Sequence, residues 1–416
     1  MRKIVLIYLF CCSLFLPAQS QTTYTLPELI AKAEAYYPFL KQKENIIAIG
    51  QETDKVLKES LIPSLNVVGK ATYQSEVTKF ENPTGLLNLP YDNYDLGLDL
   101  RIPLTEFGNI NARKELEYAK TDLALNQLDV ENQRLRERIT NIYGNLLLQQ
   151  ENKKVLTLRE ETLAAQEKKI AVSVKNGYLL KSNQLVLESE ILTTDQRIIE
   201  INATVTNLLK ELSILTGMAI DAESTFELPT DIALQTNINR PEQKVFDSQI
   251  SVLTNQIQVL KRDNLPKLFV FGTGAYGRPG YNFLDVDLRW YGIVGAGVNY
   301  NLNNLFTQKN KITSADLNIG SLQRQKETFN MNLEISMAQK QTEIEKYETI
   351  IAKDKEIVLK RQEILKEYAS QLDNGAITST EYLTELNATN NAELNLLLHS
   401  VQKNITETQY NLLTGN

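Results

Sequence analysis

Two stretches of more than a hundred residues, 104–228 and 280–416, contain no proline. Proline is the residue that most reliably ends a helix, so each stretch is free to run as uninterrupted helix. Both carry heptads. In the first, Leu128, Leu135, Ile142, Leu156, Leu163 and Ile170 hold a seven-residue spacing, broken only at Gln149. In the second, Met337, Ile344, Ile351, Val358, Leu365 and Leu372 hold it without a gap. A period near 3.5 residues means left-handed coiled packing against other helices. Each stretch reaches an Asn-Gly pair, Asn176-Gly177 and Asn374-Gly375, a helix stop and turn signal. A helical pattern then resumes and ends at Leu215-Thr216-Gly217 and at Leu413-Thr414-Gly415. Each stretch therefore reads as a long helix, a tight turn and a returning helix. A helix over 104–176 would be about 110 Å long at about 1.5 Å per residue, far longer than a domain core. A plain coiled-coil rod is one outcome of such a pattern.

Just upstream of each long helix the period changes to two. Tyr94, Leu96, Leu98, Leu100, Ile102 and Leu104 alternate with Asn93, Asp95, Gly97, Asp99 and Arg101. Val286, Leu288, Trp290, Val294, Ala296, Val298, Tyr300 and Leu302 share one face of a second segment. Leu65, Val67, Ala71 and Tyr73, and Leu268, Val270 and Tyr276, mark their earlier partners. Runs of about ten residues suffice to cross a bilayer when tilted. Tyr91, Tyr94, Tyr281, Phe283 and Trp290 lie near the run ends, where an aromatic girdle would sit. A soluble sandwich would draw on the same strand-forming residues.

The halves repeat. Ile62-Pro63-Ser64-Leu65-Asn66-Val67-Val68-Gly69 matches Leu265-Pro266-Lys267-Leu268-Phe269-Val270-Phe271-Gly272, with Tyr73 matching Tyr276, at an offset of 203. Beyond the strands the offset is 198 and pairs the two Asn-Gly turns and the two Leu-Thr-Gly ends. The repeats span about 21–217 and 240–415, joined by a segment at 218–239. Two halves give four strands, and four strands cannot close a membrane barrel. An open edge is not viable in lipid. Transmembrane strands would therefore have to be shared among several copies.

Residues 1–20 read as a secretory signal peptide: Arg2 and Lys3, a short apolar run, then Ala18-Gln19-Ser20 before Gln21. Acylation of Cys11 or Cys12 is the alternative. These are the chain's two cysteines, so residues 21–416 contain none and carry a net charge of −9. That balance argues against nucleic acid as a partner. One histidine leaves no material for a His/Cys metal site. His399, beside Leu396, Leu397 and Leu398, reads as a packing residue. Gly272-Thr273-Gly274-Ala275-Tyr276-Gly277 fits a dinucleotide fingerprint, but Arg278-Pro279-Gly280 follows where a helix would have to open. No catalytic, cofactor or metal site is expected, and no enzyme.

The order of these motifs resembles the TolC-like outer-membrane efflux protein family. The resemblance covers residues 21–416 nearly end to end. It rests on Leu26-Pro27-Glu28-Leu29 to Tyr37-Pro38, the paired Pro-x-Leu-x-Val-x-Gly strands, Ile102-Pro103-Leu104, Arg240-Pro241-Glu242 and the two Leu-Thr-Gly ends. It implies a mainly α fold with a small β part. Long coiled hairpins would form a periplasmic α-barrel, and four strands per protomer a shared transmembrane β-barrel. The implied assembly is a homotrimer in the outer membrane of a Gram-negative bacterium, with a long periplasmic extension. Its implied partners are a periplasmic adaptor, an inner-membrane RND or ABC-type pump, and outer-membrane lipid. Residues 218–240 would add to a belt around the tunnel. The channel would close near the turns through an acidic ring, which places Glu381 first. The second acidic position falls on Thr384, with Glu385 one residue later, at helical spacing from Glu381. Asn183 is the matching first-half position. Asn176, Gly177, Asn374 and Gly375 would meet the adaptor. Asp95, Asp99, Arg101, Asp287 and Arg289 would face a water-filled lumen.

Overall fold

The computed structural model describes residues 23–415 except 79, 83, 84, 88, 230, 231 and 284. The expected leader, with Cys11 and Cys12, lies outside them. In chain order the elements are β1 (Thr23–Tyr24), α1 (Leu26–Tyr36), α2 (Gln42–Glu59), β2 (Ser64–Tyr73), β3 (Phe80–Asn82), β4 (Gly85–Leu87) and β5 (Asp92–Pro103). They continue with α3 (Phe107–Lys175), α4 (Lys181–Thr216), β6 (Thr225–Phe226), α5 (Pro241–Asp263), β7 (Lys267–Arg278) and β8 (Arg289–Asn299). Two further helices, α6 (Asn303–Asp373) and α7 (Ser379–Thr414), complete the chain. The chain divides into two compact units.

One unit comprises the described residues of 23–40, 130–240 and 331–415. It contains the later parts of α3 and α6 and all of α4 and α7. The first heptad is its core: Leu135, Ile142, Leu156, Leu163 and Ile170 are all buried. In the second heptad Ile344, Val358 and Leu372 are buried, and Met337, Ile351 and Leu365 are half-buried. Residues 218–240 are pinned to this core. β1 pairs in parallel with β6. The buried Tyr143 hydroxyl donates to the carbonyls of Tyr24 (3.1 Å) and Glu227, joining α3 to both strands. Burial, with Glu227 nearby, pushes that phenol up to about 12. Arg240 donates to the Leu412 carbonyl (3.0 Å) and pairs with Glu137 (3.1 Å). The Leu-Thr-Gly ends serve close approach. Gly217 and Gly415 both have positive φ, and a Cβ on Gly415 would lie 2.4 Å from the Asn239 carbonyl oxygen.

The other unit comprises residues 41–129 and 241–330. Its centre is an antiparallel sheet in the order β2-β5-β7-β8, with strands of ten to twelve residues. The outer edges of β2 and β8 carry no partner strand among the described residues. The glycine-rich stretch 272–297 falls mostly in β7 and β8, and Gly272–Gly277 is continuous strand. The dinucleotide pattern therefore has no helix to open. Around the strand ends, Asp54 meets Lys58 (2.6 Å), Lys114 (3.1 Å) and the Tyr118 hydroxyl (3.2 Å). The Lys58 contact first, then those of Lys114 and Tyr118, hold its carboxyl down at about 2. Among the described residues no helix is long and apolar enough to cross a membrane.

Candidate functional site

The sheet has its apolar face outward. Along β5, Tyr94, Leu96, Leu98 and Leu100 are exposed while Asn93, Asp95, Gly97 and Asp99 are half-buried. Exposure reaches 74% at Val67 on β2, and 79% and 84% at Trp290 and Val294 on β8. A water-soluble sheet covers its apolar face; this one presents that face across four strands. A contiguous apolar patch of this kind marks an interaction surface. Tyr73, Tyr91, Tyr94, Tyr281, Phe283 and Trp290 are also exposed, with Tyr73 stacked on Tyr91 at 6.0 Å. On the opposite face the Arg101 guanidinium lies 3.6 Å from the Phe269 ring centroid. Asp287 and Val286 precede β8 rather than lying in it. Asp287 and Asp285 both pair with Arg289.

That opposite face holds two residues not anticipated from the alternation, Phe269 and Phe271. Their rings lie over Gly297 and Gly295, whose hypothetical Cβ atoms would meet ring carbons at 2.5 and 2.8 Å. The glycines make room for the rings, and the rings cover bare backbone. The apolar run from Leu268 to Phe271 hid this in the sequence.

The helix turns lie at the other candidate surface. Both long helices end in a Schellman motif. The Gly177 amide donates to Val174 O (3.0 Å) and the Tyr178 amide to Ser173 O (2.9 Å). Gly375 and Ala376 repeat this on Leu372 O (3.0 Å) and Gln371 O (2.8 Å). The glycine φ values, +78° and +72°, are ones L side chains rarely adopt. Asn176, Gly177, Asn374 and Gly375 are all exposed. Behind them Leu163, Ile170, Leu187, Leu372, Tyr382, Leu383 and Leu386 form one apolar cluster.

Glu381 is exposed and sits three residues into the capping box of α7. Its carboxylate accepts from the Thr378 amide (2.7 Å) and hydroxyl (2.9 Å). These bonds, the backbone one foremost, hold its carboxyl below the usual range. Glu385 is placed differently. It is buried, and both its oxygens accept from Arg361 Nη1 of α6, at 3.1 and 2.9 Å. The two carboxylates, one helical turn apart, therefore have different surroundings: Glu381 caps the helix in water and Glu385 faces an arginine. Asn183 is half-buried in the first turn of α4, its amide donating to Leu180 O (3.0 Å). The capping pattern Thr-x-x-Glu was legible in the sequence; the Arg361 partner was not, because it comes from another helix.

His399 is more than packing. Its Nδ1 lies 2.6 Å from Asp354 Oδ2, and its ring is 5.9 Å from that of Tyr347. Among the described residues no His, Cys, Asp and Glu cluster could hold a metal ion.

Solved structures share this architecture. The outer-membrane channel OprN superposes with a TM-score of 0.73 at 16% identity, over 94% of this chain and 90% of that one. CusC, described in terms of transmembrane channel formation, gives 0.73 at 13%, over 93% and 91%. The outer membrane protein VceC of Vibrio cholerae gives 0.71 at 15%, over 94% and 96%. No family model matches the sequence, and no curated protein matches it. At such identities the likeness establishes the fold. This chain has the fold of the TolC-like outer-membrane channels, mainly α with a small four-stranded sheet.

Proposed function

We propose that the chain is the exit duct of a tripartite efflux or secretion system in the outer membrane of a Gram-negative bacterium. The observation that carries this is the inverted sheet: apolar side chains outward, charged side chains inward, and two edges without partner strands among the described residues. Three copies would close twelve strands into one barrel, each β2 pairing with the β8 of its neighbour, so that no edge faces lipid. The exposed aromatics would lie at the membrane interfaces, and Asp95, Asp99 and Arg101 would line the water path. The helical hairpins would continue the path through the periplasm as an α-barrel. The same fold in OprN, CusC and VceC supports this reading.

The duct conducts passively and does no chemistry of its own. Energy comes from an inner-membrane pump of the RND or ABC type, joined through a periplasmic adaptor. The adaptor grips the exposed turns at Asn176-Gly177 and Asn374-Gly375. Glu381 supplies the acidic ring near the turns, where three carboxylates around a narrow axis would favour cations. Asn183 is the uncharged first-half counterpart of Glu381, and Glu385, paired with Arg361, supports this region from behind. The test is a mild cross-linking pull-down from membranes, read by mass spectrometry. An adaptor and a pump should co-purify. A chain released with soluble periplasm, without inner-membrane partners, would overturn the proposal in favour of a coiled-coil rod.

A further inference from the structure

We propose that neighbouring copies meet along α4 of one and α6 of the next, in an antiparallel seam where Leu192 and Ile199 face Ile364 and Ile357. This rests on the duct reading, which requires copies around one axis, and it names the helix faces that meet.

The observation is a second heptad on α4. Leu187, Thr194 and Ile201 are buried against the chain's own helices. Leu185, Leu192 and Ile199 keep the same spacing two positions earlier, about 200° around the helix, and are 52%, 70% and 60% exposed. Ser189, Gln196 and Ala203 beside them are uncharged and exposed, so another helix can approach closely. On α6, Ile344, Val358 and Leu372 belong to the buried seam, while Ile357 and Ile364 form a separate row with 47% and 39% exposed. Rows of single apolar residues at a seven-residue spacing fit the groove of a helix. A lipid surface would call for a broad apolar face.

Charge adds one specific contact. Asp195 flanks the α4 row and Lys360 the α6 row, whereas Lys346 and Lys353 on the same side of α6 are already paired with Glu343 and Glu356 of their own helix. Asp195 of one copy and Lys360 of the next attract, a pairing that two copies of the same row would not make. A contact between two different faces is heterologous, the kind that closes a ring about an axis.

Internal contacts set the register. Lys169, eight residues before Gly177, bonds Asp373, two before Gly375, at 3.2 Å. Arg159, eighteen before Gly177, bonds Asn387, twelve after Gly375. Both place the second turn six residues short of the first, about 9 Å. Rotation about an axis along the helices leaves heights unchanged. Leu192 then stands within about 3 Å of the height of Ile364, as does Ile199 of Ile357. Asp195 comes about 4.5 Å in height from Lys360, within reach of a lysine side chain. Neither Asp195 nor Lys360 has an ion-pair partner among the described residues.

Both cysteines precede residue 21, so residues 21–416 form a cysteine-free background. Leu192→Cys and Ile364→Cys on separate, co-expressed chains should give a covalent dimer on oxidation of membranes, reversed by reductant. Both substitutions on one chain should give covalent trimer. Leu185→Cys with Ile364→Cys, offset by about 13 Å in height, should give no bridge, because a disulfide spans at most about 7 Å between Cα atoms. A dimer from Leu192→Cys alone, a bridge from the Leu192→Cys chain to another protein, or no bridge in protein extracted as a trimer would overturn the seam. As a second readout, Asp195→Lys should lower the trimer fraction in detergent at low salt several-fold, and adding Lys360→Asp should restore it. No rescue would count against the seam. A membrane trimer without the bridge sinks the seam alone; a soluble monomer sinks the duct reading with it.

Discussion

Glu381 carries two demands at once. Its carboxylate closes the capping box of α7, and its place beside an exposed turn makes it the proposed acidic ring. Substitution separates these. Glu381→Gln removes the charge and keeps an acceptor for Thr378, whereas Glu381→Ala removes both. If the ring is real, both variants lose cation block in planar bilayers to the same degree. A change confined to the alanine variant would leave only the cap. The pH dependence has a definite sign. The folded carboxyl lies below its ordinary 4.5, so its contribution is present above pH 4.5 and is lost as pH falls through the folded value. The protection of amides 378–382, taken relative to the intrinsic exchange rate at each pH, should accordingly fall on acidification below about pH 4.5 in the wild type, and Glu381→Ala should abolish that fall. The cap was legible because it is local in sequence. The fate of Glu385 was not, since an i+4 spacing says nothing about a third residue on another helix.

At the scale of elements the two hairpins solve one packing problem in two ways. Under the proposed 198-residue repeat, Arg361 and Glu385 occupy the positions of Leu163 and Leu187. Leu163 and Leu187 are fully buried in one apolar cluster; Arg361 and Glu385 form an ion pair. Breaking a buried pair costs about 3–5 kcal/mol, but the Arg361 side chain is 41% exposed, which lowers the expected cost of Glu385→Ala to about 1–3 kcal/mol. The double variant Arg361→Leu/Glu385→Leu should recover most of that loss, as thermal unfolding in detergent would show. A double variant less stable than Glu385→Ala would contradict this. The sheet yields a prediction of the opposite kind. Val67→Arg puts a charge on the outward face, at a cost of about 2–4 kcal/mol in mid-bilayer, and should deplete the protein from membranes. The same change at Lys70, on the inward face, should be tolerated. Alternation made β5 legible, because Asp95, Gly97, Asp99 and Arg101 separate its apolar residues, and the later half of β8, where Gly295 and Gly297 do the same. It located β7 through Leu268, Val270 and Tyr276 but missed Phe269 and Phe271, which exploit glycines on the adjacent strand, a relation no single strand displays.

For the whole molecule, sequence periodicity dictates helix, turn and strand, yet no periodicity counts copies. In the proposed duct four strands must be shared among copies, and they do not say among how many. The exposed rows on α4 and α6, the free edges of β2 and β8, and the outward apolar sheet leave the same requirement from separate regions of the chain. Each is a surface that makes little physical sense in an isolated soluble protein. The most direct test is the mass of the protein extracted from outer membranes in mild detergent, measured by native mass spectrometry after the detergent is stripped. A complex of three chains, obtained only with detergent, is the predicted result. A single chain recovered from the soluble periplasm without detergent would contradict the account.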